Sequence, residues 1–356
     1  MLRIEMLPAK QGDCLWIEYG AKTNPRRIVI DGGTSGSTKP LVDRVRALPH
    51  GERRLELLVV THVDADHIAG VLKFLETPKL GLSVREVWFN AYKHLLEADE
   101  TFGPAQGEKL SADIVAGKVP WNAAFKGRAV KVPDTGPLPV KKLDGGLELV
   151  VLGPTMQKLR ILKPVWIQAC KDAGIKPGKP RRRARPPGLE AFGPINVDTL
   201  ADAPFKEDPT EANGSSILLL LKYDGAAVLL GADGHPAVIE AGLKRLTSGN
   251  GRVKLDAYKV AHHGSQNNVN RALLERLQCS RYLFSSNGAI YHHPNREAIA
   301  RVLKYGRTGN QPAQLIFNYG TKYNSMWDTP SLKRKWAYTT TYPADEERGV
   351  IGFEKP

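Results

Sequence analysis

The segment Val59–Gly70 reads VVTHVDADHIAG and places two histidines and two aspartates within six residues, directly after an apolar run. If this segment is a tight loop, its alternate residues His62, Asp64 and Asp66 point to one side. Asp66 and His67 are adjacent and cannot easily serve one metal from the same face. The motif therefore offers two sets of ligands, which is what a two-metal centre requires.

The 356 residues have an ordinary globular composition, with 42% hydrophobic and 25% charged residues. The N-terminal stretch has no basic region followed by an apolar one, which argues against a secretory signal. The longest apolar run, ILLLL at 217–221, is far shorter than the roughly 20 residues of a membrane helix. Cys14, Cys170 and Cys279 show no paired spacing. We therefore expect no disulfide framework, no membrane partner and a cytoplasmic location.

The formal net charge is +14, and such a charge attracts polyanions whatever their sequence. A nucleic acid or another phosphate-bearing partner is one interpretation, and simple solubility is the other. Cations also stabilise the transition-state charge of a phosphoryl group, and four basic residues lie near the motif YKVAHHGS in the sequence. They are Lys254, Lys259, Arg271 and Arg276.

Predicted strands and helices alternate over the first 90 residues and again from about residue 215. The runs LRIEML, CLWIEY, RIVI and LELLVV predict strands, and KPLVDRVRAL and IAGVLKFLE predict helices. Farther along, two apolar runs flank YDGA, whose Asp-Gly pair is typical of a β-hairpin. This order predicts an α/β fold with helices covering the sheets, formed by a single domain over residues 1–356.

The region 90–213 follows this pattern less closely, and we interpret it as insertions on the core. Its segment 155–174 predicts a helix that is interrupted at Pro164. The segment 175–188, IKPGKPRRRARPPG, is too rich in proline and glycine for a regular element. We expect a mobile surface loop that contacts an anionic substrate, and a solvated linker is the alternative. Its candidate substrate-binding residues are Arg181, Arg182, Arg183 and Arg185.

Seven of the nine histidines fall in four short clusters, and each cluster follows a predicted strand. Chains turn and expose side chains at strand ends, so ligands from distant segments can converge there. The four clusters are His62 with His67, His235, His262 with His263, and His292 with His293.

Together these motifs resemble the metallo-β-lactamase superfamily, and most closely the hydrolase-like domain of ComEC-type competence DNA-uptake proteins. AKQGDCLWIEYG and RIVIDGG are similar to the opening strands of that family, and VVTHVDADHIAG is similar to its HxDxDH signature. NGSSILLLL, VLLGADGH, YKVAHHGS and SSNGAIYHHP follow in the family's order. The resemblance covers residues 1–75 and 212–300 well and residues 90–210 hardly at all.

The resemblance implies a four-layer αββα sandwich, in which two sheets pack face to face and a metal centre lies along one edge. It implies that His62 and Asp64 bind the first metal, where Asp64 replaces a histidine found in many members. Asp66 and His67 would then bind the second metal, and Asp233 in GADG would bridge both.

The sequence does not decide which residues provide the remaining ligands. Asn213 in EANGSS stands where many members have a histidine, and it is either a weak ligand, a group that orients a water, or a cap. For the last ligand we favour His262, with His263 as a further ligand or a proton shuttle. His293 is expected on the substrate side or behind the ligands, and His292 is expected to have no role.

Two further residues are expected to support ligands rather than to bind the metal directly. Asp31 in DGG would hold the HxDxDH loop by hydrogen bonds, because outer partners set the orientation of ligands. His235 would stand at a helix N-terminus or behind the ligands. Asp66, His263 and His293 are the candidate catalytic residues.

The candidate ligands are histidines and aspartates without cysteine. Imidazole suits zinc, whereas additional carboxylates favour manganese, so we expect two divalent ions, zinc or manganese. Such a pair lowers the pKa of a bridging water, supplies hydroxide and holds the oxygens of the substrate against it. The fold does not decide which ester, lactam or phosphodiester is hydrolysed.

The favoured hypothesis is a metal-dependent phosphodiesterase or nuclease, because of the positive charge and the resemblance. The second hypothesis is a hydrolase of a small molecule, such as a lactone, a thioester or a cyclic nucleotide. The third is a metal-stabilised regulatory module without turnover, which the complete set of histidines and aspartates disfavours.

Overall fold

A computed structural model describes residues 1–95, 105–172, 195–247, 251–306 and 311–356 of the chain. Within these ranges the chain forms ten α-helices and two large β-sheets. The helices are α1 (Lys39–Arg46), α2 (Ala65–Leu75), α3 (Ala105–Ala116), α4 (Met156–Asp172), α5 (Val197–Ala201), α6 (Glu211–Gly214), α7 (Pro236–Lys244), α8 (Arg271–Leu274), α9 (Arg296–Tyr305) and α10 (Pro330–Trp336).

The strands are numbered along the chain in the same way. They are β1 (Leu2–Met6), β2 (Leu15–Ala21), β3 (Asn24–Ile30), β4 (Arg54–Leu55), β5 (Leu57–Val60), β6 (Ser83–Val84), β7 (Val87–Phe89), β8 (Val140–Lys142), β9 (Glu148–Gly153), β10 (Leu218–Tyr223), β11 (Ala226–Leu230), β12 (Val253–Lys254), β13 (Ala257–Lys259), β14 (Leu277–Gln278), β15 (Arg281–Phe284), β16 (Ala313–Phe317), β17 (Tyr338–Thr341) and β18 (Val350–Lys355). Two short pairs, β4 with β6 and β12 with β14, stand apart from the large sheets.

The two large sheets are built in a similar way, with antiparallel strands at one side and parallel strands at the other. The first has six strands in the order β18-β1-β2-β3-β5-β7, and β3, β5 and β7 run parallel. The second has eight strands in the order β17-β16-β15-β13-β11-β10-β9-β8, and the strands from β17 to β11 run parallel.

Along the strands of the first sheet, successive side chains belong alternately to two separate hydrophobic cores. Ile17 and Ile28 belong to a core that also contains the side chains of the second sheet, whereas Trp16 and Val29 belong to a core shared with α1 and α2. Successive strand residues point to opposite faces, so one face of the first sheet packs on the second sheet and the other lies under helices. Helices α7 and α9 add side chains to the core of the second sheet. The α/β sandwich of four layers expected from the sequence is confirmed.

The parallel strands of both sheets end at the edge where the candidate residues lie. Asp31 follows β3, His62 follows β5 after one residue, and Asp233 follows β11. His262 and His263 follow β13. Because parallel strands have their carboxyl ends on the same edge of a sheet, segments far apart in the sequence meet there.

Two local predictions can be compared with the structure. The hairpin at YDGA is confirmed, since β10 pairs with β11 in antiparallel fashion and Asp224 and Gly225 both have positive φ. The predicted interruption at Pro164 is wrong, because α4 continues through it. The buried side chains of Leu159, Leu162 and Trp166 line one face of this helix, and their packing outweighs the hydrogen bond that the proline removes.

In the described part of the chain, none of the helices combines the length and the apolar character that a bilayer crossing requires. The interpretation of residues 90–213 as insertions and of residues 1–356 as one domain stays a prediction.

Gly12 lies where the loop between β1 and β2 touches the start of α2. A Cβ atom at this position would lie 1.7 Å from the backbone oxygen of Asp66. We expect Gly12→Ala to lower the free energy of unfolding by about 1–3 kcal/mol or more, because the loop and the helix must separate. Chemical denaturation measures the change.

Gly51→Ala is the matched control for this substitution, because nothing lies within 4 Å of a Cβ atom there. Equal stability of the two variants would show that the loop yields to the added methyl group without cost.

Candidate metal centre

The candidate site is centred on the carboxylate of Asp233, which is buried and surrounded by four imidazole rings. Its Oδ2 atom lies 3.2 Å from His67 Nε2 and 3.5 Å from His263 Nε2. The Nε2 atoms of His262 and His62 lie 3.7 Å and 3.9 Å away. Three segments of the chain thus direct four nitrogen atoms of the same type at one carboxylate oxygen.

The motif THVDADH is divided between a strand end and a helix. Asp64 is the N-cap residue of α2, and Asp66 and His67 lie in the first turn of that helix. The expectation of a tight loop with alternating side chains is therefore wrong for this half of the motif, because the helix begins at Ala65. Asp64 Oδ2 lies 3.8 Å from His62 Nε2, with 40% of its side chain exposed.

Asp31 contacts His67 at Nδ1, the ring nitrogen that does not face Asp233. Its Oδ2 atom lies 2.8 Å from His67 Nδ1, and it also accepts a hydrogen bond from Thr61 Oγ1 at 2.7 Å. Its Oδ1 atom accepts from the backbone nitrogen of Thr61 at 2.8 Å. A carboxylate at Nδ1 favours the tautomer whose Nε2 lone pair faces the centre, so Asp31 has the geometry of the supporting residue that the sequence suggests.

Asp13 plays the corresponding part for His263. Its Oδ1 atom lies 3.1 Å from His263 Nδ1 and is also bonded by Ser285 Oγ. Its Oδ2 atom accepts a hydrogen bond of 2.8 Å from Lys259 Nζ, and the lysine is fully buried. The second supporting carboxylate is thus neutralised by a cation, whereas the described partners of Asp31 are Thr61 and His67.

His262 is held by a third group of polar residues. Its Nδ1 atom lies 2.8 Å from Asn268 Oδ1 and 3.3 Å from Asp208 Oδ2. Asn213 Nδ2 donates to the same Asp208 oxygen at 2.6 Å. Asn213 therefore lies beside the centre, on the α6 turn, and its Oδ1 atom is buried.

The motif HHGS reaches the centre through strained backbone. His262 and His263 both adopt left-handed conformations, with φ of 47° and 55°. Such conformations cost about 1–3 kcal/mol for residues other than glycine, and they concentrate at functional sites. They allow two adjacent imidazoles to face the same carboxylate.

The two histidines His293 and His235 differ in the groups that their rings contact. His293 is buried, and its ring centroid lies 5.0 Å from that of His262 and 6.3 Å from that of His263. His235 is the N-cap residue of α7, and its ring atoms bond Lys158 Nζ at 2.8 Å and the Thr210 carbonyl at 3.0 Å. The ring nitrogens of His235 are therefore taken up by partners away from the centre.

Among the described residues, several groups of side chains could hold a cation. In each group the ligand atoms lie within 4.8 Å of one another. The groups are His62 with His67 and Asp233, Asp66 with His67 and His263, Asp13 with Asp233 and His263, and Asp13 with Asp31 and His67. The adjacent residues Asp66 and His67 thus share a group with His263, whereas His262 belongs to none of these groups.

Buried polar atoms without a hydrogen-bond partner test whether these residues fit a metal. Each such atom costs about 1–3 kcal/mol, so a cluster of them indicates a shared ligand. The cluster here consists of imidazole nitrogens and amide or carboxylate oxygens, which suit zinc and manganese. Its atoms are Nε2 of His62, His67 and His263, Nδ1 of His293, and Oδ1 of Asp233 and Asn213. The residues fit a divalent metal.

The electrostatics of the cluster point to the same conclusion. Burial would raise the pKa of Asp233, but the imidazoles of His263, His67 and His262 hold this pKa well below its usual range. Burial would lower the pKa of His263, but Asp233 and Asp13 raise it to about 9. Burial and the neighbouring His67 lower the pKa of His62 to about 4. The buried carboxylates therefore demand positive charge, which a divalent cation supplies.

One segment of the chain matches a known protein family. Residues 7–157 match the metallo-beta-lactamase superfamily. This segment is thus similar to members of that superfamily. The matched segment holds β2 to β9 and the residues from Asp13 to His67, and the remaining candidate residues lie beyond it.

The chain is also similar over a short stretch to a curated protein. ComE operon protein 3 of Bacillus subtilis (strain 168) is 26% identical over 104 residues, which are 29% of this chain and 13% of that protein. The chain thus spans a small part of the length of that relative.

Two solved structures are similar to most of the chain. A mutant of CmlA beta-hydroxylase gives a TM-score of 0.37 at 11% identity, over 96% of this chain and 52% of its own. A diphosphatase from the PhnP family gives 0.31 at 14% identity, over 76% and 71%. At these scores neither structure bears on the function of this chain.

Several residues of the centre escape sequence reasoning. Asp13 lies in QGDC, a segment recognised only as an opening strand, and Asp208 lies in the irregular region before β10. Lys259 was expected near a substrate, but it is buried against Asp13. The one signal for Asp13 and Lys259 is that each lies within a recognised motif, AKQGDCLWIEYG and YKVAHHGS respectively.

The predicted substrate-binding arginines cannot be placed. Arg181, Arg182, Arg183 and Arg185, with the loop 175–188, lie outside the described residues. Their role in binding an anionic substrate stays a prediction.

We expect Asp66→Asn and His263→Ala each to lower the bound metal by one equivalent per chain, because they remove ligand atoms from one group. His293→Ala is the matched control and should retain all bound metal, because His293 belongs to none of the groups among the described residues. Elemental analysis of the purified variants measures the metal. Loss of metal from His293→Ala alone would reverse this assignment, and equal loss from His262→Ala would restore His262 as the last ligand.

We expect Lys259→Met to lower the free energy of unfolding by about 3–5 kcal/mol, because the carboxylate of Asp13 remains buried without its cation. The double variant Asp13→Asn/Lys259→Met removes both charges and should recover part of this loss. Lys254→Met, at an exposed position of β12, controls for the loss of one positive charge. If Lys259→Met unfolded like Lys254→Met, the buried ion pair would have no structural role.

Proposed function

We propose that the protein is a metal-dependent phosphodiesterase that acts on nucleic acid. The observation that carries this proposal is the set of imidazole nitrogens around Asp233, three of which are buried without a hydrogen-bond partner. A regulatory module without turnover does not require this arrangement. The positive charge of the chain favours a phosphate-bearing substrate over a neutral lactone or thioester.

The residues divide into those that would hold metal and those that would support them. His62, Asp66, His67, His263 and Asp233 would hold two divalent ions, with zinc and manganese as the candidates. Such ions lower the pKa of a coordinated water and polarise the phosphoryl oxygens. Asp64, Asn213 and His262 lie close enough to complete or orient this set.

His293 is the candidate for proton transfer at the centre, where a ring that is neutral near pH 7 accepts a proton. Its Nδ1 atom is buried without a hydrogen-bond partner, and burial followed by the charges of His262 and His263 holds its pKa well below the usual range. Its ring lies beside the ligand set rather than behind it. A group in this position can transfer a proton at Nδ1 without being needed to retain metal.

The basic residues near HHGS do not carry the proposal. Lys259 is buried, Arg271 bonds Glu275 at 2.7 Å, and Arg276 lies 3.7 Å from Glu240. The phosphodiester therefore rests on the overall charge and on the metal centre, rather than on a local cluster of arginine and lysine.

The test is a hydrolysis assay with zinc and with manganese. The substrates are single-stranded DNA, duplex DNA, RNA, bis(p-nitrophenyl) phosphate and a panel of lactones and thioesters. We expect turnover of phosphodiesters that is abolished in Asp66→Asn and reduced about 10²–10⁴-fold in His293→Ala. Asp134→Asn, an exposed aspartate far along the chain from the motifs, is the matched control. Turnover confined to lactones or thioesters would replace the proposal with the small-molecule hydrolase.

A further inference from the structure

A strongly basic segment connects the β7 edge of the first sheet to the β8 edge of the second. Residues 117–142 contain six lysines and arginines and a single acidic residue, Asp134. The segment passes β7, the last strand of the first sheet, where Trp121 forms a parallel bridge with Val87. It ends in β8, the last strand of the second sheet. This positive charge therefore lies where the two sheets are joined.

A buried asparagine fixes the shape of the part that carries Lys126 and Arg128. The side chain of Asn122 is fully buried, and its Oδ1 atom accepts a hydrogen bond of 3.0 Å from the backbone nitrogen of Phe89. Its Nδ2 atom donates to the backbone oxygens of Phe89 at 3.1 Å and Arg128 at 3.0 Å. Asn122 and Lys126 both have left-handed conformations, with φ of 48° and 56°. Residues 121–128, which we call the basic loop, are thus held at the end of β7.

Two lysine ammonium groups lie on aromatic rings of the basic loop. Lys93 Nζ lies 3.6 Å from the centroid of the Trp121 ring, and Lys141 Nζ lies 4.6 Å from that of Phe125. An aromatic face attracts a cation, so both charges have preferred positions. Burial lowers the pKa of Lys93, because protein replaces part of the water around its ammonium group. The neighbouring segments thus add two positioned charges to those of the loop itself.

The cations around the basic loop are not neutralised by carboxylates. Elsewhere on the surface such pairs are formed, as by Lys304 Nζ and Asp202 Oδ2 at 2.8 Å. Within the described part of the chain, no carboxylate forms an ion pair with the loop cations. Glu86 does contact the loop, but its Oε1 atom accepts hydrogen bonds from the Ala124 backbone nitrogen at 2.8 Å and Trp88 Nε1 at 2.9 Å. We call these cations the basic surface, and they are Lys93, Lys126, Arg128 and Lys141.

The basic surface adjoins the edge of the first sheet at which the metal centre lies. Strands β5 and β7 are neighbours and run parallel, with Val60 opposite Phe89. His62 follows β5 and the turn that contains Lys93 follows β7, so both segments leave the sheet at the same edge. Neighbouring strands lie about 4.8 Å apart. A polyanion bound at the centre can therefore extend onto the basic surface.

We propose that the basic surface binds the sugar–phosphate backbone of a nucleic acid strand whose reacting phosphodiester lies at the metal centre. Separate cations can neutralise successive phosphates of such a strand, and contacts of this kind position a nucleic acid without reading its bases. The place beside a centre for phosphodiester hydrolysis favours a nucleic acid over a charged membrane. This inference rests on the proposed function and adds a binding surface for its substrate.

The experiment measures binding of the full chain to a fluorescent oligothymidylate by anisotropy at several salt concentrations, with EDTA present so that no cleavage occurs. The test variant is Lys126→Gln/Arg128→Gln, which removes one lysine and one arginine at exposed positions. Each lost phosphate contact on a single strand makes the plot of log affinity against log salt shallower by about 0.7. We expect the slope to become shallower by about 1.4 in the test variant and by about 0.7 in Lys93→Gln.

The matched control is Arg334→Gln/Lys335→Gln, which also removes one arginine and one lysine at exposed positions. These residues lie on α10, directly before β17, and β17 and β8 are the opposite edges of the second sheet. The control should keep the wild-type slope. An equal change of slope in the two double variants overturns the basic surface, because net charge alone would then explain the loss. A wild-type slope in the test variant also overturns it.

A charge-preserving variant separates lost charge from a disturbed loop. Lys126→Arg/Arg128→Lys keeps both positive charges and should bind oligothymidylate with the wild-type slope. The same loss of slope in this variant would overturn the proposal. Phosphatidylserine vesicles test the other polyanion. Vesicle binding that the test variant loses, without any change in its oligothymidylate binding, would replace the nucleic acid with a membrane surface.

The hydrolysis assay separates this inference from the function on which it rests. The test variant should raise the KM for oligothymidylate and leave the turnover of bis(p-nitrophenyl) phosphate unchanged, because the small diester occupies only the centre. Phosphodiester turnover with equal slopes in the two double variants would reject the basic surface alone. A slope lost only in the test variant, without any phosphodiester turnover, would reject the proposed activity and leave the basic surface.

Discussion

One buried carboxylate determines the arrangement of the rest of the centre. Asp233 is almost completely buried, and an isolated charge in such surroundings is costly. The imidazoles that surround it come from the end of β5, the first turn of α2 and the segment after β13. The two sheets must therefore be packed in one relative position before these nitrogens can meet at the same oxygen. The strained conformations of His262 and His263 are maintained for the same reason.

His67 and His263 differ in the net charge of the groups that contact their Nδ1 atoms. We call the part of the centre around each histidine one half. His67 is backed by Asp31, which accepts hydrogen bonds from Thr61. His263 is backed by Asp13, whose charge is balanced by Lys259. A carboxylate behind a ligand raises the basicity of its imidazole, and a lysine that neutralises this carboxylate reduces the effect. The half that contains His67 should thus hold a cation more strongly than the half that contains His263.

The sequence predicts the strands of this structure and the motif at His62 and His67 well, because both depend on short-range patterns. Alternating and continuous apolar runs mark the strands, and the motif at His62 and His67 follows one of them directly. The residues that support the ligands cannot be predicted in this way. Nothing in the local sequence of Asp13 indicates its contact with His263, which lies 250 positions away. Lys259 shows the same limit, since a lysine is normally exposed and only the buried charge of Asp13 explains its position.

The residues that meet at the centre lie far apart in the sequence, so the ribosome synthesises them at different times. Asp13 and His263 are separated by 250 positions, and β1 completes its pairing only with β18, near residue 350. During synthesis His62, Asp66 and His67 emerge together with Asp31, long before Asp233 exists. A growing chain therefore carries half of a metal centre on a sheet with one open edge. Cations that reach the nascent chain at this stage would meet incomplete coordination, so full metal loading must wait until Asp233 and His263 have been synthesised.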